Sequence, residues 1–391
     1  MLNFNFYAPT NFHFGRGVEL KAGEMIASMG GKKALIHYGG GSAVKSGLIA
    51  RVAASLDAAG IAHVELGGVQ PNPRASLVYR GIDLCRIEGV DFILAVGGGS
   101  VIDSAKAIAV GVPYEGDFWD FHCGKAKPKV NLPVGVVLTL AAAGSEGSTS
   151  CVITNEDGNF KRGSNTELNR PKFALLNPEL TMTLPPYQTA CGATDMMAHI
   201  LERYFTNTDG VDLTDRMCEA VLSAVVEAAP VAMREPDNYD ARAQLMWAGT
   251  LAHNNSLGLG REQDWASHQI EHELSALYDV THGAGLAVVF PAWMRYQLDH
   301  DPMRFAQLAV RVWGCSMDFR HPEHTGLQGI ERFEQFLRGL GMPVTFAELG
   351  AKEEDIPYLA AKCKRNNGDK LGFFRPLDTK MIEDVLRIAV R

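Results

Sequence analysis

Five imidazole and carboxylate side chains recur at spacings that suit a metal ion. Asp195 and His199 lie four residues apart in DMMAH, and His268 and His272 lie four apart in HQIEH. Residues four apart share one face of a helix. A fifth candidate, His282, follows in the turn THGAG. Three or four imidazoles with one carboxylate suit Zn²⁺ or Fe²⁺ better than Mg²⁺ or Ca²⁺, so the pattern predicts one divalent cation.

The segment from His268 to His272 also matches H-x-x-E-H, the inverted zinc-peptidase motif, in which Glu271 would be the general base. A five-residue match arises easily by chance, and a peptidase would leave the glycine-rich first half of the chain without a role. The simpler interpretation makes Glu271 a solvated helix residue.

Two apolar runs in the first half end in three glycines and a serine. Phe92–Val96 leads into Gly97, Gly98, Gly99 and Ser100, and Ala34–Tyr38 leads into Gly39, Gly40, Gly41 and Ser42. Glycines at such a strand end let a phosphate approach the backbone and the N-terminus of the next helix. The same turn can instead simply start a helix, because Ser100 and Asp103 have capping-box spacing. Both interpretations stay open here.

The turn at Gly39–Ser42 bears on the choice between NAD and NADP. An acidic residue after such a strand commonly binds the ribose 2′-hydroxyl of NAD, whereas a cation favours the 2′-phosphate of NADP. This turn has no acid, and Lys45 follows it. NADP is therefore expected, with NAD possible as well, although Lys45 can equally be an ordinary solvated helix lysine.

These residues lie on elements whose pattern changes along the chain. The first half alternates strands with helices, which predicts a mostly parallel sheet covered on both faces. After Pro185 the apolar residues recur at helical spacing and strand signals are scarce. We therefore expect an α/β domain over residues 1–185 and an all-helical domain over residues 186–391. The clearest first-half elements are strands at 34–38, 61–66, 92–96 and 133–138 and helices at 46–59 and 101–110.

Composition narrows the class of protein. The chain has 391 residues, 46% hydrophobic and 21% charged, with a net charge of -8, which fits a globular enzyme and argues against nucleic-acid partners. The N-terminus does not read as a signal peptide, and no apolar stretch is long enough to span a bilayer. The seven cysteines are scattered without CxxC pairs, so we expect reduced thiols in the cytoplasm.

The motifs together resemble those of the group III, iron-containing alcohol dehydrogenases, in particular the NADPH-dependent butanol dehydrogenase and aldehyde reductase branch. The resemblance covers nearly the whole chain and rests on segments such as AVGGGSVIDSAKAIA, NPELTMTLPPYQTACGATDMMAHILERY and QDWASHQIEHELSALYDVTHGAGLAVVFPAW. It implies a dehydroquinate synthase-like architecture, an α/β nucleotide-binding domain followed by an all-α domain. It also implies hydride transfer between NAD(P)(H) and a metal-bound alcohol or aldehyde, and a homodimer.

The resemblance assigns roles residue by residue. Asp195, His199, His268 and His282 would bind Fe²⁺ or Zn²⁺, and His272 would be a catalytic group that aids proton relay beside the metal. The residues expected to bind the cofactor are Gly39, Gly40, Ser42, Lys45, Asn72, Gly97, Gly98, Gly99, Ser100, Asp103, Thr139, Ser145 and Lys161.

One departure and one alternative accompany the resemblance. The family usually has threonine where this chain has Ala143, in AAAGSE, so a hydroxyl near the nicotinamide or diphosphate is missing. Dehydroquinate synthase-like lyases share the expected architecture but use the nicotinamide only transiently. They would need a phosphate site rich in Lys and Arg, and the segments beside the histidine motifs offer only Arg261.

Overall fold

The computed structural model describes all 391 residues, which divide into two compact units. One unit consists of Tyr7–Leu184, and the other of Met1–Phe6 together with Pro185–Arg391. The N-terminal residues pack with the second unit, since Leu2 N donates to Gly260 O (2.8 Å) and the Met1 amino group donates to Asp209 O (2.6 Å). From the sequence, Met1–Phe6 were expected to belong to the α/β domain of residues 1–185.

The first unit contains a six-stranded parallel sheet in the order β1-β8-β5-β4-β2-β3 and a separate β6–β7 hairpin. The strands are β1 Asn11–Phe14, β2 Lys33–Gly39, β3 Ala62–Val69, β4 Phe92–Gly97, β5 Val134–Leu138, β6 Ser150–Asn155, β7 Phe160–Asn165 and β8 Phe173–Leu176. Its helices are α1 Ala22–Ser28, α2 Ser42–Lys45, α3 Leu48–Ala58, α4 Ala75–Glu88, α5 Gly99–Gly111 and α6 Trp119–His122.

Burial of the central strands explains why they form a parallel sheet. On one face, Ile36, Leu94 and Val96 form a core with Val52 and Leu56 of α3. The residues that alternate with them, such as Ile93 and Ala95, are equally inaccessible to solvent. A strand that is buried on both faces reads as a continuous apolar run, which is the pattern of FILAV.

The strand order has a reversal between β2 and β4. From β2 the chain moves outward to β3, whereas from β4 it moves in the opposite direction to β5. The two strands are hydrogen-bonded in parallel, with Tyr38 opposite Val96. In open α/β sheets, ligands bind outside the carboxyl ends of strands at such a reversal, and here both glycine turns lie at that edge.

The second unit is helical. Its helices are α7 Pro186–Tyr204, α8 Asp212–Arg234, α9 Tyr239–His253, α10 Ala266–Tyr278, α11 His282–Gln297, α12 Pro302–Trp313, α13 Pro322–Gly339, α14 Phe346–Leu349, α15 Ile356–Lys362 and α16 Thr379–Ile388. None of the helices in the protein combines the length and apolarity that a membrane span requires.

The parallel sheet and the helical second half confirm the predicted fold class, with local differences. The helix expected over 46–59 corresponds to α3, and a short helix that was not expected, α2, precedes it. Gly47, with a positive φ of 71°, separates the two. The sequence analysis missed the short strands β1 and β8 and the β6–β7 hairpin. Strands of four to six residues are too short for their periodicity to stand out.

Candidate metal centre and nucleotide turns

The predicted metal-binding residues lie on three helices of the second unit. Asp195 and His199 lie on α7, His268 lies on α10, and His282 is the first residue of α11 rather than part of a preceding turn. One donor atom from each of Asp195, His268 and His282 lies within 4.8 Å of the other two. Nε2 of His282 is 3.7 Å from Oδ1 of Asp195. Such a cluster could hold a metal ion.

A glycine lets α11 approach α7 closely enough to form this cluster. A Cβ atom at Gly283, the residue after His282, would lie only 2.1 Å from the carbonyl oxygen of Cys191 on α7. No side chain fits at that distance. The absence of a side chain at Gly283 therefore allows His282 and Asp195 to face each other.

Two buried carboxylates are hydrogen-bonded to the Nδ1 atoms of two candidate ligand histidines. Oε1 of Glu202 accepts a hydrogen bond from Nδ1 of His268 at 2.8 Å, and Oε2 of Glu271 accepts one from Nδ1 of His282. Both glutamates are completely buried. The expectation that Glu271 is a solvated helix residue is therefore wrong. Its carboxylate bonds to an imidazole, which leaves it unsuited to the peptidase general-base role.

The state of His268 shows whether these donor atoms suit a metal. Its Nε2 atom is buried and has no hydrogen-bond partner, which is costly unless a ligand fills the position. Burial, together with the neighbouring imidazoles of His199 and His282, lowers the pKa of His268 well below its usual value. The ring is therefore neutral near pH 7, which is the form that binds a metal, and the residues fit a divalent cation.

His199 and His272 flank this group. Nδ1 of His199 is 2.9 Å from the backbone oxygen of Asp195 and 3.1 Å from Oδ1 of the same residue. Its ring lies 4.5 Å from that of His268, but it is not one of the three residues with converging donor atoms. His272 is buried with its ring 5.6 Å from that of His282.

A cation and two further aromatic rings lie behind His199. Arg203 donates to the backbone oxygen of His199 (2.6 Å), and its guanidinium carbon lies 4.7 Å from the centre of the Trp265 ring. The His253 ring is 4.2 Å from the His199 ring, and its Nδ1 is 2.9 Å from Arg203 Nη2. Burial lowers the pKa of Arg203 to about 10, so the guanidinium remains charged at neutral pH.

In the first unit, the turn after β4 has the form of a phosphate cradle. Helix α5 begins at Gly99, and no side chain caps its N-terminus. A Cβ atom at Gly98 would lie 3.0 Å from Leu140, and one at Gly99 would lie 3.3 Å from Ala143. The glycines therefore leave the first backbone N–H groups of a thirteen-residue helix without side-chain cover, an arrangement that suits a diphosphate.

Asp103 does not cap this helix, so the capping-box expectation for Ser100 and Asp103 is wrong. Its carboxylate accepts from the Ser145 hydroxyl (2.5 Å) and the Val152 backbone N–H (2.8 Å). Burial raises the pKa of Asp103, an effect opposed by the nearby ammonium of Lys106. Asp103 thus joins α5 to the loop that contains Ser145, another of the predicted cofactor-binding residues.

The other predicted cofactor residues lie at defined positions in the same unit. Thr139 N donates to Gly97 O (3.1 Å), which places the end of β5 beside the turn after β4. Lys161 donates to Oδ1 of Asn72 (3.0 Å), and both residues are buried. Gly40, Ser42 and Lys45, at the end of β2 and in α2, are exposed.

Two buried residues at these positions, Glu202 and Lys106, escaped the sequence analysis, and a third, Glu271, was expected to be solvated. Glu202 and Glu271 each follow a candidate histidine by three residues, a helical neighbour spacing that could have drawn attention to them. Lys106 is fully buried in the apolar helix α5 and donates to the backbone oxygens of Ser145 (2.7 Å) and Ser150 (2.8 Å). The position of a lysine inside an otherwise apolar helical stretch could have drawn attention to Lys106.

An open α/β unit with glycine turns at its reversal point, and a helical unit with a cluster of histidines and carboxylates, define the class of metal- and nicotinamide-dependent oxidoreductases. The model of the family "Iron-containing alcohol dehydrogenase" matches residues 9–178. The model "Fe-containing alcohol dehydrogenase family, C-terminal" matches residues 189–390. The chain belongs to the iron-containing alcohol dehydrogenase family.

Individual relatives agree with this assignment over the full length. The chain is 41% identical to the NADH-dependent butanol dehydrogenase A of Clostridium acetobutylicum, with 99% of each chain covered. It is 36% identical to an NADPH-dependent aldehyde reductase of Escherichia coli, with 95% of each covered. The crystal structure of NADH-dependent butanol dehydrogenase A from Thermotoga maritima superposes with a TM-score of 0.97 at 40% identity, covering 100% of this chain and 99% of that one.

The protein is therefore an alcohol dehydrogenase, an oxidoreductase that transfers a hydride between a nicotinamide cofactor and an alcohol or aldehyde. This activity sets aside both alternatives raised by the sequence, the peptidase and the lyase.

Proposed function

We propose that this enzyme interconverts small aldehydes and alcohols of the butanol type with NADP(H), at one Fe²⁺ or Zn²⁺ held by Asp195, His199, His268 and His282. The observation that carries the proposal is the convergence of donor atoms from Asp195, His268 and His282 around the buried Nε2 of His268, which has no hydrogen-bond partner. His199 enters the set because it contacts both Asp195 and His268.

We further propose that the two halves of the chain have different functions. Residues 1–185, apart from Met1–Phe6, which pack with the helical unit, would form the dinucleotide-binding domain, with Gly97–Ser100 receiving the diphosphate at the N-terminus of α5. Asp103, Thr139 and Ser145 hold the strand ends and loop around that turn, and Asn72 with Lys161 forms a buried polar pair in the same unit. Residues 186–391 would form the metal-binding catalytic domain.

The bound groups and the protein's side chains would contribute different parts of the chemistry. A bound divalent cation would act as a Lewis acid on the substrate oxygen, and a bound nicotinamide would supply or accept the hydride. The protein's own residues prepare the site for this. Glu202 and Glu271 accept hydrogen bonds from the rings of His268 and His282, and the buried surroundings limit access of water to the donor atoms.

His272 is the proposed proton-relay group. It is buried, lies one helical turn beyond His268 on α10, and places its ring 5.6 Å from that of His282. The proposed ligand set already has four members, and a catalytic metal must keep a position open for substrate. We therefore assign His272 to moving a proton at its imidazole nitrogen rather than to a fifth coordination position.

The turn after β2 supports NADP(H) as the cofactor. Gly39, Gly40 and Ser42 place no carboxylate where a 2′-phosphate would bind, and Lys45 follows on the exposed helix α2. The relatives named above include both NADH- and NADPH-dependent enzymes, so the preference is a property to be measured on this chain.

Metal dependence is the first experiment. Removing metal with a chelator should abolish aldehyde reduction by NADPH, and adding back Fe²⁺ or Zn²⁺ should restore it. His268→Ala and His282→Ala should lose bound metal and activity together. The measurement is the initial rate for a panel of aldehydes alongside elemental analysis of the same samples. Full activity in a sample shown to be metal-free would contradict the proposal.

A single substitution tests the cofactor preference. We expect a higher kcat/KM with NADPH than with NADH, and Gly40→Asp should move the ratio toward NADH by repelling the 2′-phosphate. A Cβ atom at Gly40 would meet nothing within 4 Å, so the substitution is sterically tolerated. Gly40→Asn is the matched neutral control. Equal kcat/KM for the two cofactors in the unmutated enzyme would refute the NADP(H) assignment.

We propose a homodimer located in the cytoplasm, with no nucleic-acid or membrane partner. The segment Met1–Phe6 exposes apolar side chains at Leu2, Phe4 and Phe6, which a second subunit could cover. All seven cysteines are in the thiol form, as expected in a reducing compartment. Light scattering during size-exclusion chromatography would measure the mass, and a monomer would contradict this part of the proposal.

A further inference from the structure

We propose that Glu202 and Glu271 are positioning residues that present Nε2 of His268 and His282 to the metal and thereby set the affinity of the site. The inference rests on the metal-dependent function proposed above. It gives a role to the acidic residue of the H-x-x-E-H segment, which the alcohol dehydrogenase activity does not otherwise use.

Glu202 reaches from α7 to the start of α10. Its Oε1 accepts from both the backbone N–H (3.0 Å) and Nδ1 (2.8 Å) of His268, and its Oε2 accepts from the backbone N–H of Trp265 (2.6 Å). Helix α10 has no capping side chain of its own, so this buried carboxylate takes that place. An anion there is also stabilised by the positive end of the helix dipole. One residue therefore fixes both the helix start and the orientation of the His268 ring.

Glu271 performs the corresponding task between α10 and α11. Its Oε2 accepts from Nδ1 of His282, and its Oε1 accepts from the hydroxyl of Ser275. Gly285 makes room for this carboxylate, because a Cβ atom there would lie 2.6 Å from Oε1 of Glu271. With Nδ1 occupied in this way, the other ring nitrogen, Nε2, is the one that faces Asp195.

The consequence for metal binding follows from the tautomer of each ring. A carboxylate that accepts from Nδ1–H keeps the lone pair on Nε2 and increases the basicity of that nitrogen. Because each carboxylate fixes the orientation of its ring, little conformational freedom is left for metal binding to remove. Removing such a partner typically weakens metal affinity by about 10- to 100-fold.

Glu271→Gln is the sharpest test because it removes the charge and keeps the hydrogen bonds. The amide oxygen can accept from Nδ1 of His282, while the amide nitrogen can donate to the Ser275 oxygen. The Ser275 hydroxyl can then donate to the backbone oxygen of Val280, already 3.3 Å away. We expect metal affinity to fall by roughly 10- to 100-fold, with the unfolding temperature of the metal-free protein nearly unchanged.

Affinity would be measured by competition of Zn²⁺ between the protein and a chromophoric chelator. The absorption spectrum of the Co²⁺-loaded protein would report ligand geometry independently of turnover. Titrations should be repeated with His324→Ala, because exposed His321 and His324, with the partly buried Glu323, also bring donor atoms within 4.8 Å of one another. This background separates surface binding from the buried centre.

Glu219→Gln is the matched control. Glu219 is another buried carboxylate of the helical unit and accepts from the Tyr204 hydroxyl (3.0 Å) and from Arg311 (2.9 Å). This variant should lower stability but leave Zn²⁺ affinity unchanged. Glu202→Gln should weaken metal binding and also lower stability, because its amide N–H₂ would face a backbone N–H.

The outcomes are distinguishable. Unchanged Zn²⁺ affinity and Co²⁺ spectrum in Glu271→Gln would overturn the inference while leaving the proposed function standing. Complete loss of binding even at millimolar Zn²⁺ would make Glu271 a direct ligand and would overturn its positioning role. Failure of the unmutated enzyme to bind metal would overturn the proposed function and, with it, this inference.

Discussion

At the scale of single residues, only one of the two ring nitrogens of His268 has a hydrogen-bond partner. Glu202 accepts from its Nδ1, whereas its Nε2 is buried without a partner. An unsatisfied buried nitrogen costs about 1–3 kcal/mol, and a ligand that satisfies it recovers that free energy. His272 lies beside these rings, 5.6 Å from the ring of His282, but its proposed role is proton transfer rather than metal binding.

The His272→Ala variant tests that separation. We expect it to keep metal at near-normal stoichiometry and to lose about 10²- to 10⁴-fold in rate, the usual contribution of general acid–base catalysis. Elemental analysis and steady-state rates on the same preparation are sufficient. A small loss of rate would reduce His272 to a packing residue, and a metal-free variant would show that it is a ligand.

At the scale of elements, close helix contacts bring the candidate ligands together. Helices α7 and α11 approach so closely at Gly283 that a Cβ atom would lie 2.1 Å from the backbone of Cys191. Backbone cannot move aside as the end of a flexible side chain can. A residue chosen for its lack of a side chain is thus as necessary to the cluster as the histidine beside it.

Gly283→Ala should therefore separate α11 from α7 and displace His282. We expect a loss of about 1–3 kcal/mol in the free energy of unfolding, typical of overpacking, together with weaker metal binding. Chemical denaturation and metal competition measure the two effects. Gly339→Ala is the control, because that glycine ends α13 in open space and its replacement should leave metal affinity unchanged. Equal behaviour of the two variants would contradict the argument.

At the scale of the whole molecule, each unit has its own buried polar groups that determine its response to pH. In the first unit, His37 joins β2 to β3 and α5, with Nδ1 2.8 Å from the backbone oxygen of Leu66 and Nε2 2.9 Å from the hydroxyl of Ser104. Complete burial lowers the pKa of His37 from 6.5 to about 4. The folded protein therefore keeps this ring neutral.

This pKa predicts a loss of stability in acid. Below pH 6.5 the unfolded chain binds a proton at His37 that the folded chain does not bind until about pH 4, so stability falls as pH decreases through that window. The full effect is about 3 kcal/mol, from about 1.4 kcal/mol per pKa unit. Urea unfolding between pH 7 and pH 4 should show a shallower decline in His37→Gln, which has no titrating ring. Parallel curves for the two proteins would contradict the assignment.

The amino-acid sequence by itself determined the features that depend on short-range patterns. Buried runs such as FILAV predicted a parallel sheet, and the change to helical spacing after Pro185 predicted a helical second half. The spacing of the histidines and Asp195 predicted a group of metal-binding candidates, of which Asp195, His268 and His282 bring donor atoms together, and the motifs predicted the family. Such patterns are legible because helices and strands have fixed periods.

Only the tertiary structure decided which partners these side chains have. Glu202 and Glu271 look like solvated helix residues in the sequence, yet each is buried against the ring of a histidine on another helix. Asp103 has the spacing of a helix cap, yet it bonds to Ser145 across 42 positions of sequence. A helix period specifies which residues share a face, but it carries no information about the side chain that the face meets. That depends on packing distances, such as the contact of α7 and α11 at Gly283, which arise only when the whole chain has folded.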